Sequence, residues 1–275
     1  LSSFFFVSCT RVDMSTDEGW SRDDVSDFAI ADQMSAIRDE IKATQKEVGD
    51  VEDPKVLMEE YKDNTNFHHK IQNIIDRYGG VRRSRGDGSC FYRSFVFGYF
   101  ERIKDKPDEI AKAVTHAGEV KTLLFEKGYP EFTVSDFHEN YVDVLNEIAG
   151  VSTAELETIL RDAGNDQYTV YFARLVTSAY MQSHPDEFLA FCMAMGHADI
   201  QSYCKSQVEG AYVDADQLQI TALTNSFQVH TRIAYLDGSS GDLNHHDFPE
   251  DKASAGVAEV CLLYRPGHYD LLYPK

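Results

Sequence analysis

The chain has 275 residues, with 26 Lys and Arg against 46 Asp and Glu, a formal net charge of −20, 43% hydrophobic residues and 12% aromatic ones. That composition is ordinary for a globular protein, and the length suits one large domain or two small ones, either able to bury a core. The acidity argues against a duplex nucleic-acid binder and against docking on anionic membrane, and no apolar run reaches the roughly 18–20 residues that span a bilayer.

In chain order, residues 1–27 read as a polar, acidic, flexible tail. Residues 1–13 are expected to lie upstream of a natural start at Met14, and Phe4-Phe5-Phe6-Val7 lacks the basic flank and length of a signal peptide. Ile30, Met34, Ile37 and Ile41 recur at three- and four-residue spacing, which predicts an amphipathic helical arm over 28–48, followed by a domain over 49–275. Residues 56–61 and 67–78 read as helix, stopped by Gly79-Gly80. A short segment, 81–85, leads into Gly86-Asp87-Gly88-Ser89-Cys90, after which 91–103 is helical. Helices follow over about 108–127, 134–149, 153–163, 166–183 and 186–195, with capping boxes at 133–136 and 152–155, and another helix over 215–226. Residues 229–235 alternate and are β-branched, as a strand does; 237–251 is a polar loop, 257–264 a buried strand, 265–267 a turn and 268–273 a last strand. Many helices around a small C-terminal β-sheet make an α+β fold.

The five cysteines, Cys9, Cys90, Cys192, Cys204 and Cys261, are odd in number, widely spaced and without a C-x-x-C. That is a poor disulfide framework and a poor zinc site. It fits a reducing compartment, with the cytoplasm and also the nucleus as expected locations. Cys192, Cys204 and Cys261 sit among apolar neighbours and read as core. Cys90 differs, because it opens a helix directly after two glycines. The unpaired N–H groups and positive end of a helix N-terminus favour a thiolate, the better nucleophile, and the same N–H groups could hold an oxyanion. The bland alternative is a buried cysteine after a tight turn. Residues 81–110 also hold 5 acidic and 7 basic side chains, a local basic island around Cys90 in an acidic chain.

A cysteine nucleophile needs a base, and ten histidines compete. His68-His69 and His245-His246 sit in polar stretches and read as exposed. His268 starts a strand, with Asp270 two residues on. Residues i and i+2 of a strand share a face, so Asp270 can orient the His268 ring and stabilise its imidazolium. An ordinary edge strand would look the same.

Asp87-Gly-Ser-Cys-Phe-Tyr-Arg-Ser94, taken with Tyr264-Arg-Pro-Gly-His-Tyr-Asp-Leu-Leu-Tyr273, resembles the OTU (ovarian-tumour) cysteine proteases and, within them, the otubains. Phe132-Thr-Val-Ser-Asp-Phe-His138, Arg174-Leu-Val-Thr-Ser-Ala-Tyr180 and Tyr235-Leu-Asp-Gly-Ser239 are similar to otubain segments in the same order, so the resemblance covers roughly residues 25–275. It implies a papain-like OTU fold, with the catalytic domain over 49–275, and a deubiquitinating isopeptidase. Cys90 then matches the nucleophile, His268 the general base and Asp270 the residue that orients it. Asp87 matches the cysteine-loop aspartate counted with the active site, and the Gly88 and Cys90 amides would line the oxyanion hole. Ser89 stands where the motif commonly has asparagine. No metal or other cofactor is implied.

The implied partners are ubiquitin and polyubiquitin, whose arginine-bearing tail an acidic cleft would attract, and the implied state is a monomer. Otubains with a long N-terminal extension favour the degradation-signal linkage and also restrain ubiquitin-conjugating enzymes without catalysis. The arm here could pack on the proximal ubiquitin, or it could dock on its own domain. A papain-type protease with another substrate is a third reading, but Cys-Gly-Ser-Cys-Trp is absent, with Asp87 and Phe91 in place of its first cysteine and its tryptophan.

Overall fold

The computed structural model of the protein describes residues 27–250 and 258–275. The tail over 1–26, with Cys9, and the start of the strand expected from residue 257 lie outside the described residues. The chain divides between Glu40 and Ile41. The first unit contributes most of α1 (Asp27–Thr44), in which Met34 and Ile37 are exposed. The side chain of Ile30 lies outside the described residues.

The second unit continues through β1 (Val48–Glu52), α2 (Val56–Glu60), a 3-10 turn (Thr65–Phe67), α3 (His68–Arg77), β2 (Tyr78–Ser84) and α4 (Cys90–Ile103). Then come α5 (Pro107–Glu126), α6 (Glu131–Glu147), α7 (Thr153–Leu160), α8 (Ala163–Ser183), α9 (Pro185–Ala194), α10 (Ile200–Gln207) and α11 (Gln217–Phe227). The chain closes with β3 (Thr231–Tyr235), β4 (Asn244–Phe248), β5 (Val260–Arg265) and β6 (His268–Pro274).

The strands form one sheet in the order β1-β2-β6-β5-β3-β4, parallel only between β3 and β5. Successive strand residues point to opposite faces. Ile233, Leu262 and Leu271 face a core shared with α4, α5, α6 and α8. Ala234, Cys261, Leu263 and Leu272 face Leu57, Ile71 and Ile74 of α2 and α3. α4 lies inside the larger core and is apolar on nearly all sides, as a fully buried helix must be. Phe91, Phe95, Phe97 and Phe100 are each at most 1% exposed, and full burial of such a side chain contributes about 1.5–3 kcal/mol. A third cluster, around Met181, Phe188 and Tyr203, holds Cys192 and Cys204. The three cysteines read as core are all buried.

The α+β architecture matches the expectation from sequence, with local differences. The sheet is not wholly C-terminal, because β1 and β2 precede the helical layer. The arm helix ends at Thr44, and Val48 begins β1 rather than closing a helix. Gly79 and Gly80 do not stop a helix; they lie inside β2. Gly80 is required there because a Cβ would come within 2.6 Å of Val51 Cγ1 on the neighbouring strand. The loop expected over 237–251 contains β4, whose Asn-His-His-Asp-Phe sequence carries no apolar alternation and pairs at the sheet edge with β3. The 152–155 capping box forms, with Ser152 N donating to Glu155 Oε2 at 2.8 Å. The 133–136 box does not, because α6 starts three residues earlier than expected, at Glu131 behind Pro130.

Candidate active site

β2 ends at Ser84 and α4 starts at Cys90, so the five residues between them set the approach to the thiol. Gly88 has φ +81, and a Cβ on it would lie 2.4 Å from the Tyr212 carbonyl oxygen, so glycine is needed for both conformation and space. Ser89 N donates to Asp87 Oδ1 at 3.0 Å. Neither the Gly88 nor the Cys90 amide donates to a protein acceptor among the described residues, which leaves both for a ligand.

β6 brings His268 and Asp270 to this loop. The Tyr269 amide donates to Cys90 Sγ at 3.4 Å, fixing the start of β6 beside the thiol. His268 Nε2 meets Asp270 Oδ1 at 2.9 Å, which leaves Nδ1 as the ring nitrogen for the neighbouring Cys90. Tyr269 points the other way and packs edge-on against Phe91, so the alternation expected of this strand is observed. Burial opposes an imidazolium here. The Asp270 charge and hydrogen bond, with a smaller contribution from Cys90 beside the ring, outweigh it and raise the His268 pKa to about 9. Asp270 has no exposed surface and four donors: His268, the Ser84 amide at 3.0 Å, Arg265 at 2.6 Å and Arg83 at 3.2 Å. Burial would raise its pKa, but Arg265, His268 and Arg83 hold it well below the usual carboxylate range.

Asp87 sits elsewhere. It accepts from Arg85 Nε at 2.8 Å and from Arg93 Nη1 and Nη2 at 2.9 Å, besides Ser89, and it makes no hydrogen bond to Cys90 or His268. Burial opposes its charge, but the two arginines hold its pKa at about 2. Arg93 Nε also reaches Asp166 at 2.6 Å, and Arg85 reaches Glu47 at 2.7 Å. The basic island therefore does not present free positive charge to Cys90. Arg82, Arg83, Arg85 and Arg93 are each paired to carboxylates, from Glu157 and Asp270 to Asp87 and Asp166. Sequence could not reveal that pairing, because Asp166 and Glu157 lie far along the chain.

Cys90 opens onto a cleft of about 630 Å³ whose wall includes Met195, His197, Asp214, Asp216, Tyr264 and Tyr269. These two aspartates name the acidic wall that composition alone could not locate. Burial raises the Asp214 pKa. Leu189, Phe191, Met193 and Met195 are exposed on and just after α9, and of these Met195 lies in the cleft wall. Of the competing histidines, His69 and His246 are exposed as expected. His245 is half-buried against the Tyr78 hydroxyl at 3.1 Å, because β4 forms there. His230 is buried against Asp247 at 2.7 Å. No cluster of His, Cys, Asp and Glu among the described residues could hold a metal ion.

A thiol, a histidine beside it and a buried carboxylate behind the histidine form the arrangement a cysteine hydrolase uses. A family model described as Peptidase C65 Otubain matches residues 40–274. The "OVARIAN TUMOR DOMAIN-containing deubiquitinating enzyme 1" of Arabidopsis thaliana is 36% identical, over 90% of this chain and 87% of that protein. "Ubiquitin thioesterase OTUB1" of Homo sapiens is 33% identical, over 90% of each chain. The solved complex titled "The structure of h/ceOTUB1-ubiquitin aldehyde-UBC13~Ub" superimposes with a TM-score of 0.84 at 33% identity, covering 90% of this chain and 98% of that one. The chain belongs to the otubain family, the ubiquitin thioesterases of the cysteine-type deubiquitinating class.

Proposed function

We propose that the protein hydrolyses the bond between the C-terminal glycine of ubiquitin and a lysine amine in polyubiquitin. The observation that carries this reading is the approach of His268, backed by Asp270 at 2.9 Å, to Cys90 at the head of the cleft. In the reaction, the Cys90 thiolate attacks the glycine carbonyl. The tetrahedral oxyanion forms against the Gly88 and Cys90 amides. His268, held as imidazolium, gives its proton to the departing lysine amine. Water then attacks the thioester while His268 takes its proton, which releases ubiquitin with a free carboxylate. Asp270 orients and charges His268, and Asp87 acts through the shape of the cysteine loop. Asp214 and Asp216 meet the arginines of the ubiquitin tail, and Met195 offers an apolar contact beside that path. Free thiols at Cys90, Cys192, Cys204 and Cys261 fit a reducing compartment such as the cytoplasm.

Full-length ubiquitin carrying a C-terminal electrophile tests this. Mass mapping is expected to find the adduct on Cys90. An adduct confined to another cysteine, or none, contradicts the reading.

Linkage is a finer matter. The proposed preference is for the degradation-signal linkage, with α1 and its exposed Met34 and Ile37 receiving the proximal ubiquitin. Deleting residues 14–45 is then expected to flatten the linkage preference, and an unchanged preference contradicts that role. A second reading is restraint of ubiquitin-conjugating enzymes without hydrolysis, favoured by the likeness to complexes whose titles name UBC13~Ub and UBCH5B~Ub. A Cys90→Ser variant that still blocks chain synthesis supports it, and one that does not block synthesis rules it out.

A further inference from the structure

Arg174 lies in the middle of α8 and is 1% exposed. Its guanidinium is held by neutral groups. Nη1 donates to the Val208 carbonyl at 2.9 Å. Nη2 donates to the carbonyls of Gly88 at 3.0 Å and Val213 at 2.9 Å, and to Ser89 Oγ at 2.9 Å. The group also stacks over the Tyr92 ring, 4.3 Å from its centre. Among the described residues Nε has no hydrogen-bond partner, and no ion pair to Arg174 occurs, in contrast to Arg82, Arg83, Arg85 and Arg93 of the basic island. Burial pushes its pKa below the usual arginine value.

A buried cation with no directly paired counter-ion is costly, and Asp87 and Asp214 act on this one only from a distance, so its retention asks what else its charge serves. The contacts point to the cysteine loop. A trans peptide directs its carbonyl and amide to opposite sides. The Gly88–Ser89 peptide is gripped on both, its carbonyl by Arg174 and its amide by Asp87. On either side of this peptide lie the two amides free to bind an oxyanion, those of Gly88 and Cys90. The same guanidinium ties Val208 and Val213, which bracket Tyr212, the residue packed on Gly88, and lead to Asp214 in the cleft wall. Ser89, where the family motif commonly has asparagine, keeps a side-chain role through its bond to Arg174.

We propose that Arg174 is a positioning residue for the reaction: it sets the Gly88–Ser89 peptide against the 208–213 segment and supplies unpaired positive charge behind the anion that develops at Cys90. This rests on Cys90 being the nucleophile.

The test compares full-length wild type, Arg174→Gln, Arg174→Lys and Cys90→Ala. The readouts are turnover of a ubiquitin C-terminal aminocoumarin amide, affinity for ubiquitin aldehyde, affinity for free ubiquitin, and thermal melting. For Arg174→Gln, kcat is expected to fall roughly tenfold or more, as for loss of an oxyanion-stabilising group, with KM within about threefold. Aldehyde affinity is expected to fall with kcat, free-ubiquitin affinity to stay unchanged, and Arg174→Lys to recover part of the loss. A folded Arg174→Gln with wild-type kcat and aldehyde affinity overturns the proposal, as does equal weakening toward both forms of ubiquitin. If Arg174→Gln does not fold, Arg174→Lys decides: reduced kcat and aldehyde affinity support the role, and wild-type values overturn it. Failure of both variants to fold also overturns it, because the residue is then structural. Turnover by Cys90→Ala would sink the nucleophile assignment instead, independently of Arg174.

Discussion

Asp270 holds His268 Nε2 at 2.9 Å from a site with no exposed surface, and its other oxygen is anchored by Arg265 at 2.6 Å. A carboxylate so fixed stays ionised, and it is the chief reason the His268 pKa stands at about 9 against an unfolded value near 6.5. The stabilisation from this pair is therefore complete below about pH 6.5 and is lost as pH rises through about 9.

Activity should follow the imidazolium. In wild type, kcat/KM is expected to decline above about pH 9. Asp270→Asn removes the charge that raises His268, so the alkaline limb moves to lower pH and kcat falls roughly 10²- to 10⁴-fold. A pH–rate profile checks both. An unmoved limb would show that Asp270 does not set the protonation of His268.

Asp166 is 5% exposed and pairs with Arg93 at 2.6 Å, while Arg93 also holds Asp87. Asp166→Ala leaves Arg93 paired to Asp87 alone, with its buried Nε unsatisfied, and is expected to cost about 1–3 kcal/mol in urea unfolding, with the cysteine loop loosened as well. A cost below about 1 kcal/mol, the range of exposed pairs, would mean the network is solvated.

Gly88 and Gly128 both have positive φ, +81 and +83, but only Gly88 has a neighbour where a Cβ would go. Gly128→Ala is expected to cost about 1–2 kcal/mol of stability and to leave turnover intact. Gly88→Ala should abolish turnover, because the loop must move off Tyr212. Equal activity in the two variants would remove the argument for a fitted oxyanion loop.

Asp214 and Asp216 give the overall acidity a local address. The double change to asparagine is expected to raise KM for ubiquitin substrates by about tenfold and to flatten the dependence of KM on salt. An unchanged salt dependence would move the electrostatic attraction elsewhere on the surface.

The fold class and the grouping of Cys90, His268 and Asp270 are legible because each leaves a local mark. Cys90 follows glycines at a helix start, and His268 and Asp270 share a strand face. What stayed hidden depends on chain segments meeting across long separations. The basic run over 81–110 reads as positive charge near the thiol until Asp166, Glu157 and Asp270 come in to neutralise it. Arg174 stood inside a family-like segment, but nothing local told of a guanidinium beneath the cysteine loop. β4 and the glycines of β2 escape a local reading for a related reason. An edge strand of Asn-His-His-Asp-Phe needs no apolar alternation, and Gly80 answers to Val51 on another strand.

The central claim is that Cys90 is the nucleophile of a ubiquitin isopeptidase. Di-ubiquitins of every linkage, incubated with wild-type and Cys90→Ala protein and resolved by mass, test it most directly. Wild type is expected to cleave at least one linkage and Cys90→Ala to lose roughly 10³-fold or more of that activity, with ubiquitin binding retained. Cleavage by Cys90→Ala at a wild-type rate would contradict it.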